Sequence, residues 1–274
     1  LKNYRERIAS AKRIVLKIGT TSLTYDNGNL NLNRIEKIVQ VLSDLVNSGK
    51  EIVLVTSGAI GVGRSKLGYT TKPQTIQEKQ ACASVGQVIL MNIYSRLFGE
   101  YGYCVGQILL TKDVIENQRR KDNVSNTFET LFERKIIPIV NENDSVSIEE
   151  IENIPRFGDN DNLAAVVAVI TQADLLIILS DIDGLYDKNP KEFLDAHKIS
   201  CVEEITQEIE HFAQGSGSDF GTGGMQTKIM AAKVATSNGC DLILANSSKP
   251  QIIFDILDSK DVGTLFVARR DNAR

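Results

Sequence analysis

GDNDNLAAVVAVI at residues 158–170, followed by DLLIILSDI at 174–182, is the stretch that decides the fold. The first segment opens on residues that cap helices and then runs apolar on every side, the pattern of a buried helix. The second is an apolar run that ends in polar residues, the pattern of a strand covered on both faces. A buried helix feeding a doubly covered strand is one step of a βαβ sequence.

Working outward, the same step repeats. RIVLKIG (13–19), EIVLVTS (51–57), VGQILLT (105–111), IIPIVNE (136–142) and DLILAN (241–246) read as further strands. Helical spacing runs over Leu32–Val46, Ile76–Phe98, Val124–Arg134 and Met225–Ser237. The alternation predicts right-handed βαβ units: an α/β fold, a three-layer αβα sandwich with a largely parallel central sheet. Three stretches break the rhythm, at 24–31, 147–160 and 213–224, where Gly, Asn, Asp and Pro indicate turns, hairpins or functional loops. There is no internal repeat or linker, so residues 1–274 read as a single domain.

Composition narrows the function classes. A net charge of −4 and a pI near 5.4 give no field attractive to nucleic acid or to an anionic membrane. No apolar run reaches the roughly 18 residues needed to span a bilayer, and LKNYRERIAS at the start has no apolar signal core. Cys82, Cys104, Cys201 and Cys240 are widely spaced, which fits a reducing compartment rather than a zinc knot or disulfide frame. The expectation is a soluble cytoplasmic protein.

In an open α/β sheet, ligands gather at the carboxyl ends of the strands. Polar residues cluster at those ends: Lys17, Gly19 and Thr20; Thr56, Ser57 and Gly58; Asn141, Glu142, Asn143 and Asp144; Ser180, Asp181, Asp183 and Gly184. GTGGMQTK (221–228) leads into the helical IMAAKVATS, so backbone N–H groups and Lys228 meet at a helix N-terminus, an anion site. It is not a Walker A loop, because Thr227 precedes the lysine and Ile229 follows it. A loop that merely caps its helix is the plain alternative. Lys17, in an apolar strand, either snorkels to solvent or serves the same anion. Asp159, Asn160, Asp161 and Asn162 exceed what one helix cap requires and suggest lysine orientation, substrate binding or metal coordination. Asn141–Asp144 reads as a second such cluster or as an Asx-turn. His197 and His211 lie in hydrophilic surroundings, and no nucleophile–histidine pair can be assembled, which argues against acyl transfer through a side-chain nucleophile.

KIGTTSL, VTSGAIGVG, GQILLT, VNENDSV, GDNDNLAA, SDIDGLYDKNP and GTGGMQTK, in this order, resemble the glutamate 5-kinase family over about residues 13–267. The resemblance implies the amino-acid kinase fold and ATP-dependent phosphorylation of the side-chain carboxylate of L-glutamate, the first step of proline biosynthesis. It implies ATP and Mg²⁺ as cofactors, with no protein metal ligand assigned. By that resemblance Lys17 and Lys228 contact the phosphoryl chain, and Asp161 holds the two lysines, making these three the catalytic set. Ser57, Asp144 and Asn160 bind glutamate. Lys17, Ser180, Asp181 and the run Thr222, Gly223, Gly224, Met225, Gln226, Thr227 and Lys228 bind the nucleotide. The family further implies a homo-oligomer inhibited by proline, and coupling to glutamyl-phosphate reductase. Many bacterial members carry a C-terminal PUA-type domain, and none is expected here. The rival readings are a sister kinase for acetylglutamate and a non-catalytic regulator of the same fold.

Overall fold

The computed structural model describes residues 2–25, 29–111, 114, 117–146, 160–190, 192–215 and 224–269. Along the chain come α1 (Lys2–Ala9), β1 (Arg13–Ile18), α2 (Thr20–Leu23), α3 (Leu32–Asn47), β2 (Glu51–Val55), α4 (Ala59–Lys66) and α5 (Ile76–Glu100). Next are β3 (Val105–Leu110), α6 (Gln118–Glu133), β4 (Ile137–Glu142), α7 (Asn160–Ile170), β5 (Leu175–Ser180), β6 (Leu185–Tyr186), β7 (Lys198–Ile199) and β8 (Cys201–Val202). The last are α8 (Gln207–Gly215), α9 (Met225–Ser237), β9 (Asp241–Asn246), α10 (Ile252–Leu257) and β10 (Thr264–Phe266). The chain divides into two compact units, residues 1–17 with 157–274, and residues 18–156.

In the unit of residues 1–17 and 157–274 the strand order is β1-β5-β9-β10-β8. β5 and β9 run parallel in register from Leu175↔Asp241 to Ser180↔Asn246, whereas β10 is antiparallel to β9 and parallel to β8. Every residue of β5 is buried, as its unbroken apolar run requires. α7 follows suit, with Leu163, Ala164, Ala165, Val167 and Ala168 all buried. A two-stranded antiparallel ribbon, β6 with β7, lies outside this sheet.

In the unit of residues 18–156 the order is β3-β4-β2, all parallel. Leu54 pairs with Ile139 and Val55 with Val140, so β2 and β4 end side by side. Helix starts here carry the expected chemistry. Asn31 and Asn117 accept hydrogen bonds from Arg34 and Arg120 N–H groups, and Thr75 with Glu78 forms a capping box at α5. The Asn117 cap explains why α6 begins ahead of the apolar periodicity at Val124.

The parallel sheet with flanking helices that the sequence predicts is thus present in each unit. α4 is an addition, because AIGVGRSK shows no helical spacing in the sequence and yet forms a helix. Its second glycine is there for contact. A Cβ at Gly63 would lie 1.8 Å from the Cys82 carbonyl oxygen, and one at Gly86 would lie 1.8 Å from the Ala59 carbonyl oxygen. Ala59 and Gly63 on α4 therefore meet Cys82 and Gly86 on α5 backbone to backbone, each pair one helical turn apart on a single face. Tertiary contact overrides a propensity cost of about 1 kcal/mol per glycine.

This contact predicts opposite signs for two alanine substitutions. Gly86→Ala meets carbonyl oxygen with no room to yield and should lower unfolding stability by about 3 kcal/mol. Gly61→Ala, on the short helix α4, would place its new Cβ with nothing within 4 Å and should raise stability by about 0.5–1 kcal/mol. Urea denaturation of both variants measures the difference.

Candidate active site

Lys17 is the one charged residue in the buried stretch of β1 that follows Arg13, and its side chain does not snorkel: it is 4% exposed. Its Nζ lies 2.6 Å from Oδ1 of Asp161. Lys228, in the first turn of α9 and 5% exposed, places Nζ 3.1 Å from Oδ2 of the same carboxylate. Asp161 stands in the first turn of α7 and is fully buried. Three segments far apart in sequence thus converge on one carboxylate.

Among the described residues, two buried ammonium groups share one buried carboxylate in a poorly hydrated place. Burying such groups costs several kcal/mol per ion before pairing repays any of it, so stability alone does not account for the cluster. An environment of this kind is suited to stabilising oxyanions, where fixed positive charge in low dielectric acts strongly. Thr227 supports the lysine turn: its hydroxyl donates to the Gly224 carbonyl at 2.8 Å and lies 3.4 Å from Oδ2 of Asp161. Gly224 caps α9 without a side-chain bond, and Met225, Gln226 and Thr227 follow it in the first turn.

Ser180 and Asp181 end β5 in the same unit. The Ser180 hydroxyl donates to Oδ1 of Asp181 at 3.0 Å, and its carbonyl accepts from the Ser247 N–H at 2.7 Å, tying the ends of β5 and β9 together. Asn160, half-buried, is the first residue of α7, directly before Asp161. Thr222 and Gly223 lie outside the described residues, as do Gly158 and Asp159.

Ser57 and Asp144 belong to the other unit. They follow β2 and β4, which pair directly, and the Thr56 N–H donates to the Val140 carbonyl at 2.9 Å. Ser57 is buried and Asp144 half-buried. Gly58 takes a left-handed conformation, φ 93°, that turns the chain from β2 into α4. Behind these loops lies a buried polar layer that the sequence reading missed. Tyr94 OH and Thr56 Oγ1 are 2.8 Å apart, and Asn141 Nδ2 donates to Gln87 Oε1 at 2.8 Å. Gln87 and Tyr94 sit about two turns apart along one face of α5. Nothing in an otherwise apolar helix face marks them except that spacing.

Among the described residues no group of three or more His, Cys, Asp or Glu side chains is placed to hold a metal ion. Both oxygens of Asp161 face lysines, so this carboxylate is ill suited to a cation. A divalent ion at such a site would be held chiefly by phosphate oxygens. No helix among the described residues is long and apolar enough to cross a membrane.

The profile of the Amino acid kinase family matches residues 12–246, and the glutamate 5-kinase of Clostridium perfringens is 60% identical over 266 residues, 97% of this chain and 99% of the relative. The chain belongs to the amino acid kinase family, among its glutamate 5-kinases. The glutamate 5-kinase of Listeria innocua is 54% identical over 267 residues, covering 97% of both chains. Two solved structures share the amino-acid kinase fold at low identity. UMP kinase from Ureaplasma parvum has a TM-score of 0.61 and 15% identity, covering 93% of this chain and 98% of its own. Carbamate kinase from Giardia lamblia bound to AMP-PNP has a TM-score of 0.64 and 14% identity, covering 95% and 100%.

Burial pushes the Tyr94 phenol up to about 12, against a weaker opposing effect of its bond to Thr56. The fold favours the neutral phenol, so its contribution is fully present below pH 10. It is lost between pH 10 and about 12, where the unfolded chain ionises and the folded one does not. Tyr94→Phe should cost about 1 kcal/mol at pH 7 and flatten the fall in stability above pH 10. Urea denaturation at pH 7 and across pH 9–11 tests both effects.

Proposed function

We propose that the chain transfers the γ-phosphoryl group of ATP to the side-chain carboxylate of L-glutamate, using Lys17 and Lys228 to neutralise the charge on the moving group. The observation that carries this reading is the buried Lys17–Asp161–Lys228 cluster, in a chain 60% identical to a glutamate 5-kinase. Glutamate's side-chain carboxyl has a reference pKa near 4.3 and is already ionised at neutral pH. Its oxygen attacks the γ-phosphorus, the bond from that phosphorus to the β,γ-bridging oxygen breaks, and ADP leaves. No proton has to be removed, so the chemistry requires no general base.

The work left to the protein is alignment and charge neutralisation. Lys17 and Lys228, pinned by Asp161, act on the phosphoryl oxygens. Ser180, Asp181 and the run from Thr222 to Lys228 are assigned to the nucleotide. Ser57, Asp144 and Asn160 are assigned to glutamate, Asp144 pairing with the α-ammonium. Mg²⁺, when bound, would be held chiefly by the nucleotide's phosphates and would supply further positive charge there. Residues 13–267 act as one kinase domain, in the cytoplasm and as a homo-oligomer. The product is an acyl phosphate prone to hydrolysis and cyclisation, so a reductase such as glutamyl-phosphate reductase is the expected consumer.

A coupled assay of ADP release should respond to glutamate and not to acetylglutamate or aspartate; release with acetylglutamate alone would move the chain to the sister activity. Within the glutamate reaction, Lys228 follows charge onto the bridging oxygen as its bond to phosphorus breaks, an interaction that strengthens in the transition state. Lys228→Ala should therefore lower kcat by roughly 10² to 10³, with a smaller effect on the ATP KM. Arginine should rescue poorly, its planar fork replacing a compact ammonium. Steady-state kinetics on the folded variants, with ATP and glutamate varied separately, decide it. Near-normal kcat with only a raised ATP KM would reduce Lys228 to an anchor for bound nucleotide.

A further inference from the structure

The buried polar layer under Ser57 and Asp144 has a direction. The Glu142 N–H donates to Asn141 Oδ1 at 2.9 Å. A backbone N–H is only a donor, so it fixes which end of the Asn141 amide faces it. The other end, Nδ2, then donates to Gln87 at 2.8 Å, and Gln87 must meet it with Oε1. Two amides are thereby oriented in series, and the end of the relay is the Nε2 group of Gln87.

That group is buried and has no hydrogen-bond partner among the described residues, in a side chain only 8% exposed. Leaving a buried donor unmatched is costly, and native proteins rarely do so without a reason. The position of Gln87 supplies one. Gly86, its neighbour, is packed against the carbonyl of Ala59, which follows Ser57 and Gly58. Asn141, its partner, lies near the end of β4, shortly before Asp144. Gln87 therefore lies beneath both loops assigned to the acceptor substrate, linked to them through Gly86 and Asn141, with its own donor unmatched.

We infer that Gln87 Nε2 donates a hydrogen bond to a carboxylate oxygen of the acceptor amino acid, a specificity role that rests on the proposed glutamate kinase activity. A donor fixed by a chain of amides is matched to an anionic oxygen and mismatched to a cation. It complements Asp144, whose carboxylate suits the ammonium of the same molecule.

Gln87→Glu separates this role from packing. The glutamate side chain keeps an oxygen for Asn141 Nδ2 and nearly the same shape, but it replaces the donor end with a charged acceptor. The expected result is a rise of roughly ten- to a hundredfold in the KM for glutamate, the range for a lost hydrogen bond to a charged group. The ATP KM and the thermal midpoint should stay close to wild type. An unchanged glutamate KM overturns the inference, as does an equal rise in both KM values, which would report a general distortion. If Gln87→Glu fails to fold, Gln87→Met, of similar length and without charge or amide, takes its place. It should raise the glutamate KM by roughly tenfold, and an unchanged value overturns the inference. Failure of the underlying activity is visible separately, as a wild-type protein that releases no ADP with glutamate.

Discussion

One carboxylate shared by two lysines is the constraint on which the unit of residues 1–17 and 157–274 depends. Asp161 is fully buried, and Lys17 and Lys228 reach it from β1 and α9. Removing three charges from water is justified only where the field they make is used. The single carboxylate of Asp161 faces both lysines and so sets their positions together. The arrangement holds two cations, from two segments far apart in sequence, with one carboxylate.

The other unit is organised by backbone proximity. Where α4 crosses α5 at Gly63 and Gly86 there is no side chain to adjust, so the crossing has little freedom. Thr56 and Asn141, at the ends of β2 and β4, are each bonded to α5, through Tyr94 and Gln87. The loops that carry Ser57 and Asp144 are therefore held from below by one helix.

Much of this was legible in the sequence. All six apolar runs read as strands are β1, β2, β3, β4, β5 and β9; all but the half-exposed β3 are covered on both faces, which leaves an unbroken apolar signature. Lys17 and Asp161 were visible as polar exceptions beside such runs, although only family resemblance joined them. Less was legible where contact decides conformation. α4 was hidden because its glycines argue against a helix, and the reason Gly63 is tolerated lies on the next helix along the chain. Gln87 and Tyr94 were hidden because their partners, Asn141 and Thr56, are 54 and 38 residues away. β8 and β10 have two and three residues, too few to show a period.

The same cluster imposes an order on the protein's own synthesis. Asp161 and Lys228 are 67 residues apart, so a growing chain contains Lys17 and Asp161 well before Lys228 emerges. Until then only one of the two lysines that face Asp161 has been made. Lys228 completes the pair, and the segment that carries it comes just before β9, which pairs with β5. The cluster is therefore completed late, when most of the framework that must hold it has already been made.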